Sequence, residues 1–278
     1  MALNLNSWLK IIHPEAIDRI GSIAHVLLDF DGTISVLRQG WEKVMLELML
    51  MSICGESPPN PTIKNEVIDY IDQSTGILTI RQMEWLVEAV KRHRLAGEPL
   101  SARQYKARYL DMLMVYVRKR IADVADHRIP ADDMMIKGAG DFVSAFWKRG
   151  ATLYLASGSD HPDVVNEVRV LGLTKYMNGG IYGALDASEA NDKERIIQRI
   201  LDENRLTGNQ LLVIGDGPVE IRVASQRQAL TLGIASDEVL REGWNLRKAD
   251  RVVKAGCDFL VSDFSHAEQL LNFLLPKV

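Results

Sequence analysis

Ile23-Ala24-His25-Val26-Leu27-Leu28 runs straight into Asp29-Phe30-Asp31-Gly32-Thr33. The first segment is apolar at most consecutive positions, the pattern of a strand buried on both faces. The second puts two carboxylates one residue apart where that strand meets a Gly-containing turn. Alternation along an extended chain sends Asp29 and Asp31 to the same side. Like charges this close raise each other's proton affinity unless a cation intervenes. A hard ion such as Mg2+, held by few carboxylates plus water and phosphate oxygens, suits the pair. Acids at a turn also cap backbone N–H groups, so the pair alone leaves both readings open.

Beyond Thr33 the texture changes. From about residue 37 to 134 the patterns are helical. Trp41 to Met51 is apolar at helical spacing, and Ile63, Val67 and Ile71 share one face. Thr79-Ile80-Arg81-Gln82 and Ser101-Ala102-Arg103-Gln104 read as capping boxes opening two more helices, the second running to about Arg120. After about 135, strand and helix alternate. Ala151 to Ala156 is a strand ending at Ser157, and Asp160-His161-Pro162 opens a helix. Asn191-Asp192-Lys193-Glu194 opens another, with Ile196, Ile197 and Ile200 on its apolar face. Leu211 to Ile214 is an all-apolar strand that exits into Gly215-Asp216-Gly217-Pro218-Val219-Glu220. This alternation predicts an α/β fold with a mostly parallel sheet covered by helices on both faces. The helical stretch interrupts that sheet after its first strand, above the carboxyl end where open α/β sheets bind ligands. It is placed to act as a lid.

The chain has 278 residues, 47% hydrophobic and 25% charged, with formal net charge −4. Such a composition supports a sizeable core and argues against disorder. It gives no basic field, so nucleic acid is not an expected partner. Cys54 and Cys257 form no CxxC and no disulfide framework. No apolar run is long enough to span a membrane, and Met1 to Lys10 lacks a signal-peptide pattern. The expected location is the cytoplasm. Sequence gives no oligomeric state.

Three further sites join the first pair. Ser157-Gly158-Ser159 at a strand end offers a hydroxyl and free N–H groups for a phosphate, or forms a plain polar turn. Lys193 places a cation at the positive end of a helix dipole, which is locally unfavourable and hints at another use. Asp216 and Glu220 are four apart and can lie on one side of a helix start, as metal ligands or as N-terminal caps.

In order and spacing, Asp29–Thr33, Ser157, Lys193 and Asp216–Glu220 resemble the four motifs of the haloacid dehalogenase superfamily, in its phosphatase-like branch. The likeness covers about residues 21 to 278. It implies a Rossmann-like parallel-sheet core, residues 1–36 and 135–278, with an inserted all-helical cap domain, residues 37–134. Residues 1–20 fall outside it and are expected to add a helix packed on the core. The resemblance makes Asp29 the nucleophile that becomes an aspartyl-phosphate, and Asp31 the general acid and then base. Ser157, Gly158 and Lys193 would hold the phosphoryl oxygens. Asp29, Asp31 through its carbonyl, Asp216 and Glu220 would hold Mg2+. Pro218 inside the last motif departs from the usual pattern and leaves the role of Glu220 open. Arg38 and Lys43, just past the hinge, are candidates to meet the substrate from the cap side. The expected activity is a Mg2+-dependent phosphomonoesterase for a small phosphorylated metabolite. A phosphomutase of the β-phosphoglucomutase type and a catalytically silent binding protein are the alternatives.

Overall fold

The computed structural model describes residues 7–185 and 193–276. Seven strands form one sheet: β1 (Leu9–Ile11), β2 (His25–Asp29), β3 (Thr152–Asp160), β4 (Gly180–Ala184), β5 (Leu211–Gly215), β6 (Leu230–Ile234) and β7 (Phe259–Val261). Their order is β1-β7-β6-β5-β2-β3-β4, and all neighbours pair in parallel except β1 with β7. The decisive strand β2 is therefore central, hydrogen-bonded to β3 on one side and β5 on the other. In register, Asp29 lies level with Ala156, and Leu28 with Ile214. This brings Ser157 and Asp216, each just past its pairing, to the same carboxyl edge as Asp29.

Both faces of the sheet are covered, which is why its strands carry consecutive apolar residues. Leu28, Leu155 and Ile214 point to one face, against helices α5 (Ala139–Lys148), α6 (His161–Val170) and α10 (Ala267–Leu274). Leu27, Tyr154 and Val213 point to the other, against α7 (Lys193–Glu203) and α8 (Pro218–Gln226). Helix α9 (Leu246–Lys254) packs beside β6 through Ala249 and Val252.

Between β2 and α5 lie four helices: α1 (Trp41–Cys54), α2 (Pro61–Gln73), α3 (Thr79–His93) and α4 (Ala102–Ala125). They enclose a separate apolar core built on Met45, Met49, Val67, Met83 and Val117. Asn60 and Ser101 cap α2 and α4 through their side chains, and Ser101 with Gln104 forms the expected capping box. The box expected at Thr79 does not form. Leu78 is the N-cap of α3, because Gln82 donates instead to Ser74 Oγ at 3.1 Å. Helix α4 continues past Arg120, so this cation does not sit at a helix end. It donates to the carbonyls of Leu37 and Gln39 at 2.7 and 2.9 Å and ties α4 to the chain leaving β2.

The described part of residues 1–20 does not add an α-helix. It adds the short antiparallel strand β1 against β7, then a helix of the 3-10 kind at Pro14–Arg19 that packs on the core through the buried Ala16. A three-residue strand is too short to show a period, and Pro14 lacks the N–H that a continuing strand needs. The predicted helix start at Asn191 and Asp192 lies outside the described residues.

Candidate active site

Each side chain of the site stands where a regular element stops. Asp29 is the last residue of β2, and the chain then turns through Gly32, whose φ is +76°. A Cβ there would lie 2.6 Å from Asp216 Oδ2 and 2.9 Å from Lys248 Nζ, so glycine is required by conformation and by space. Strand β3 runs past Ala156, where sequence ended it, because a register shift against β4 between Ala156 and Asp160 lets the chain bulge. Bulges of this kind re-aim side chains at sheet rims. Here Ser157 and Ser159 both turn their hydroxyls to Asp31 Oδ2, at 2.9 and 3.2 Å. Asp31 Oδ1 is buried and makes no hydrogen bond among the described residues.

Lys193 opens α7 and is 3% exposed. Its Nζ lies 2.6 Å from Asp29 Oδ1 and 3.0 Å from Glu220 Oε2. Burial works against its charge, but Asp29 and Glu220 outweigh that and raise its pKa. Asp29 Oδ2 accepts from Thr33 Oγ1 at 2.9 Å. Burial pushes the Asp29 carboxyl above its usual range; Lys193 opposes this, and Glu220 and Asp216 add to it. Glu220 does two things at once. Oε1 accepts from the Gly217 N–H at 2.9 Å, a helix cap, while Oε2 faces Lys193. Pro218 at the first turn of α8 costs nothing there, since that N–H has no partner within the helix.

One oxygen from each of Asp29, Asp216 and Glu220 lies within 4.8 Å of the others, and all three residues are buried. Carboxylates gathered this tightly fit a hard cation with oxygen ligands such as Mg2+. The structure thus gathers Asp29, Asp31, Ser157, Gly158, Lys193, Asp216 and Glu220 at one point. Lys43 is not among them. It is exposed and lines a separate cavity between α1, α2 and α9. Arg38 reaches the site but is not free. Its guanidinium forks onto Glu167 with a shortest contact of 2.6 Å, 3.8 Å from Asp31 Oδ1.

Sequence reasoning passed over Lys248 and Arg251 on α9, and Glu238 before it. Lys248 Nζ is 2.7 Å from Asp216 Oδ2 and 2.5 Å from Glu238 Oε1. Arg251 donates to Asp216 Oδ2 and to the Asp216 carbonyl, and also to Asp72 and Thr75 beside the loop after α2. Burial opposes the ionised form of Asp216, but Lys248 and then Arg251 hold it below the usual carboxylate range. A signal was present: Lys248 and Arg251 are in helical phase with the apolar Ala249 and Val252, which places them on the inner face.

The loop Thr75-Gly76-Ile77 dips from the helical block onto the cluster. A Cβ at Gly76 would meet Glu220 Oε2 at 2.6 Å, and one at Gly158 would meet the Ile77 carbonyl oxygen at 2.3 Å. The space left between block and sheet is about 60 Å³, lined by Asp29, Asp31, Trp41, Gln82, Tyr109 and Gly158 among others.

Among known proteins, the family description "haloacid dehalogenase-like hydrolase" matches residues 23–226. A β-phosphoglucomutase from Clostridium difficile superposes with a TM-score of 0.60 at 13% identity, covering 91% of this chain and 97% of that one. A predicted phosphoglycolate phosphatase from Haemophilus somnus gives 0.60 at 13%, covering 90% and 98%. CbbY from Rhodobacter sphaeroides, solved with xylulose-1,5-bisphosphate, gives 0.57 at 15%, covering 87% and 95%. A search of the curated proteins finds no match. At these identities the superpositions establish the fold, and the family match covers most of the sequence. The chain belongs to the haloacid dehalogenase-like hydrolases.

Proposed function

We propose that the protein is a Mg2+-dependent phosphomonoesterase for a small phosphorylated metabolite, working through an aspartyl-phosphate on Asp29. The observation that carries this reading is the buried contact of Lys193 with Asp29, beside three acids close enough to share one ion. Asp29 Oδ1 and Lys193 Nζ mark where a phosphoryl group would bind.

In the first step an Asp29 carboxylate oxygen forms a bond to phosphorus, and the bond from phosphorus to the substrate oxygen breaks. Asp31 gives its proton to that leaving oxygen. Its Oδ1 is suited to this, because the serine hydroxyls occupy Oδ2 while Oδ1 makes no hydrogen bond among the described residues and has only the Arg38 guanidinium at 3.8 Å. In the second step Asp31 takes a proton from water, whose oxygen attacks the phosphorus and releases phosphate, restoring Asp29. Lys193 and the Gly158 N–H hold the phosphoryl oxygens, and the Ser157 hydroxyl joins them by turning from Asp31 Oδ2 to the bound group, leaving Ser159 on Oδ2. Asp29, Asp216 and Glu220, with the Asp31 carbonyl, would hold the ion, which draws charge off the phosphoryl oxygens when bound. Positioned acid–base groups contribute about 10²–10⁴-fold, and charge stabilisation in a dry site contributes more.

The helical block serves as a lid in this reading. A space of about 60 Å³ is well below the roughly 300 Å³ and more of a small-molecule site, so a sugar phosphate enters only when the block lifts. A reducing compartment such as the cytoplasm belongs to the same proposal, supported by two buried free cysteines.

The test is phosphate release from a panel of phosphorylated sugars and acids, with Mg2+ and with EDTA. Mg2+-dependent inorganic phosphate supports a phosphatase. An isomeric sugar phosphate in its place moves the reading to a mutase. No turnover with any of the panel in Mg2+ contradicts both and favours a silent binding protein.

A further inference from the structure

Asp216 is held in an unusual way for a metal ligand. Its Oδ2 receives two buried cations, Lys248 Nζ at 2.7 Å and Arg251 Nη2 at 3.1 Å. Its Oδ1 faces the other way, toward Thr33 Oγ1, which itself bonds Asp29 Oδ2. A carboxylate oxygen has two lone pairs, and here both on Oδ2 are engaged.

We propose that Lys248 and Arg251 are positioning residues that restrict Asp216 to a single metal-facing oxygen, so that the site prefers Mg2+ to Ca2+. The inference rests on the phosphatase reading, in which Asp216 is a cation ligand. Mg2+ demands near-ideal octahedral geometry, with oxygens at about 2.0–2.1 Å. Ca2+ takes six to eight oxygens at about 2.3–2.6 Å and readily accepts both oxygens of one carboxylate. A carboxylate with one oxygen already saturated serves the first ion and denies the second a ligand.

The chain is built to keep the two cations there. Lys248 is anchored a second time by Glu238, and a third by the Gly32 carbonyl at 3.3 Å. Only the missing side chain of Gly32 leaves room for its ammonium. Arg251 is pinned at its Nε by the Asp216 carbonyl at 2.9 Å and at Nη1 by Asp72 and Thr75. Simple neutralisation of a buried acid would need one cation and no such bracing. Removing Lys248 alone returns one lone pair to Oδ2, enough for a second bond to a metal.

The experiment is calorimetric titration of the metal-free protein with MgCl2 and, separately, with CaCl2. The proteins are wild type, Lys248→Met, and the charge-balanced double variant Lys248→Met with Glu238→Gln. The double variant carries the test if the single one does not fold. The expected result is that the ratio of Ca2+ to Mg2+ dissociation constants falls at least about tenfold in the variants. A folded variant that binds both ions with the wild-type ratio overturns the inference and leaves the phosphatase reading intact. A wild type that binds no Mg2+ overturns both.

Discussion

At the residue scale, the site was legible wherever a charge interrupts an apolar element. Asp29 and Asp216 stand at the exits of apolar strands, where an acid is conspicuous. Lys193 stands at a helix start that its charge disfavours. Lys248 and Arg251 were legible only through their helical phase with Ala249 and Val252, and Glu167 was passed over because a lone charge on a helix usually faces water. Arg38 has a partner that the sequence did not announce. It was expected to meet the substrate, and it lines the cavity at the site while its guanidinium is held by the buried carboxylate of Glu167. Burial pushes the Glu167 carboxyl up to about 7 even with Arg38 opposing it. Arg38→Met would leave that acid unpaired, a loss of about 3–5 kcal/mol. The pH dependence has a definite sign. A folded-state acid with a raised pKa keeps its proton where the unfolded chain has lost it, so stability falls as pH rises above about 4.5. Without Arg38 the folded-state pKa is higher still, so the fall extends to higher pH. Urea denaturation of the variant should show a larger deficit against wild type at pH 8 than at pH 5.

At the element scale, the central strands and most helices could be read from period and capping residues alone. The ends could not. Strand β3 gains residues through a bulge that no local pattern announces, and β1 exists only because β7 offers it an edge. Ser101 was legible, and its capping box on α4 is exposed. Ser101→Ala should therefore cost about 1 kcal/mol, as read from chemical denaturation, with kcat unchanged. Gly158 is a different kind of position. Its backbone passes against the Ile77 carbonyl, so a methyl group forces the loop after α2 away from the site. Gly158→Ala should raise KM and lower kcat/KM in the phosphatase assay while the thermal midpoint changes little. An unchanged kcat/KM would mean that the loop does not take part in the closed site.

At the scale of the molecule, the chain places one helical unit between two neighbouring strands of a finished sheet, and the two parts keep separate apolar cores. Each core holds one cysteine, Cys54 in the helical block and Cys257 beside the sheet. Burial raises both thiols, that of Cys257 to about 12. Neither should react with a thiol reagent at pH 8 in the native protein, and both should react in denaturant. Labelling of Cys54 ahead of Cys257 at intermediate urea would report that the helical block opens first. The α/β class was legible from the alternation of elements. The closeness of the helical block to the sheet was not, since it depends on Arg251, Gly76 and Gly158 meeting residues far away in sequence.

The central claim is that the carboxylate of Asp29 itself takes the phosphoryl group. The direct measurement is to mix the protein with a turned-over phosphate ester and Mg2+, quench in acid, reduce with borohydride and map peptides by mass spectrometry. Homoserine is expected at position 29, dependent on Mg2+ and lost in Asp29→Asn. Steady turnover with Asp29 unmodified in the quenched enzyme, and retained activity in Asp29→Asn, would contradict it.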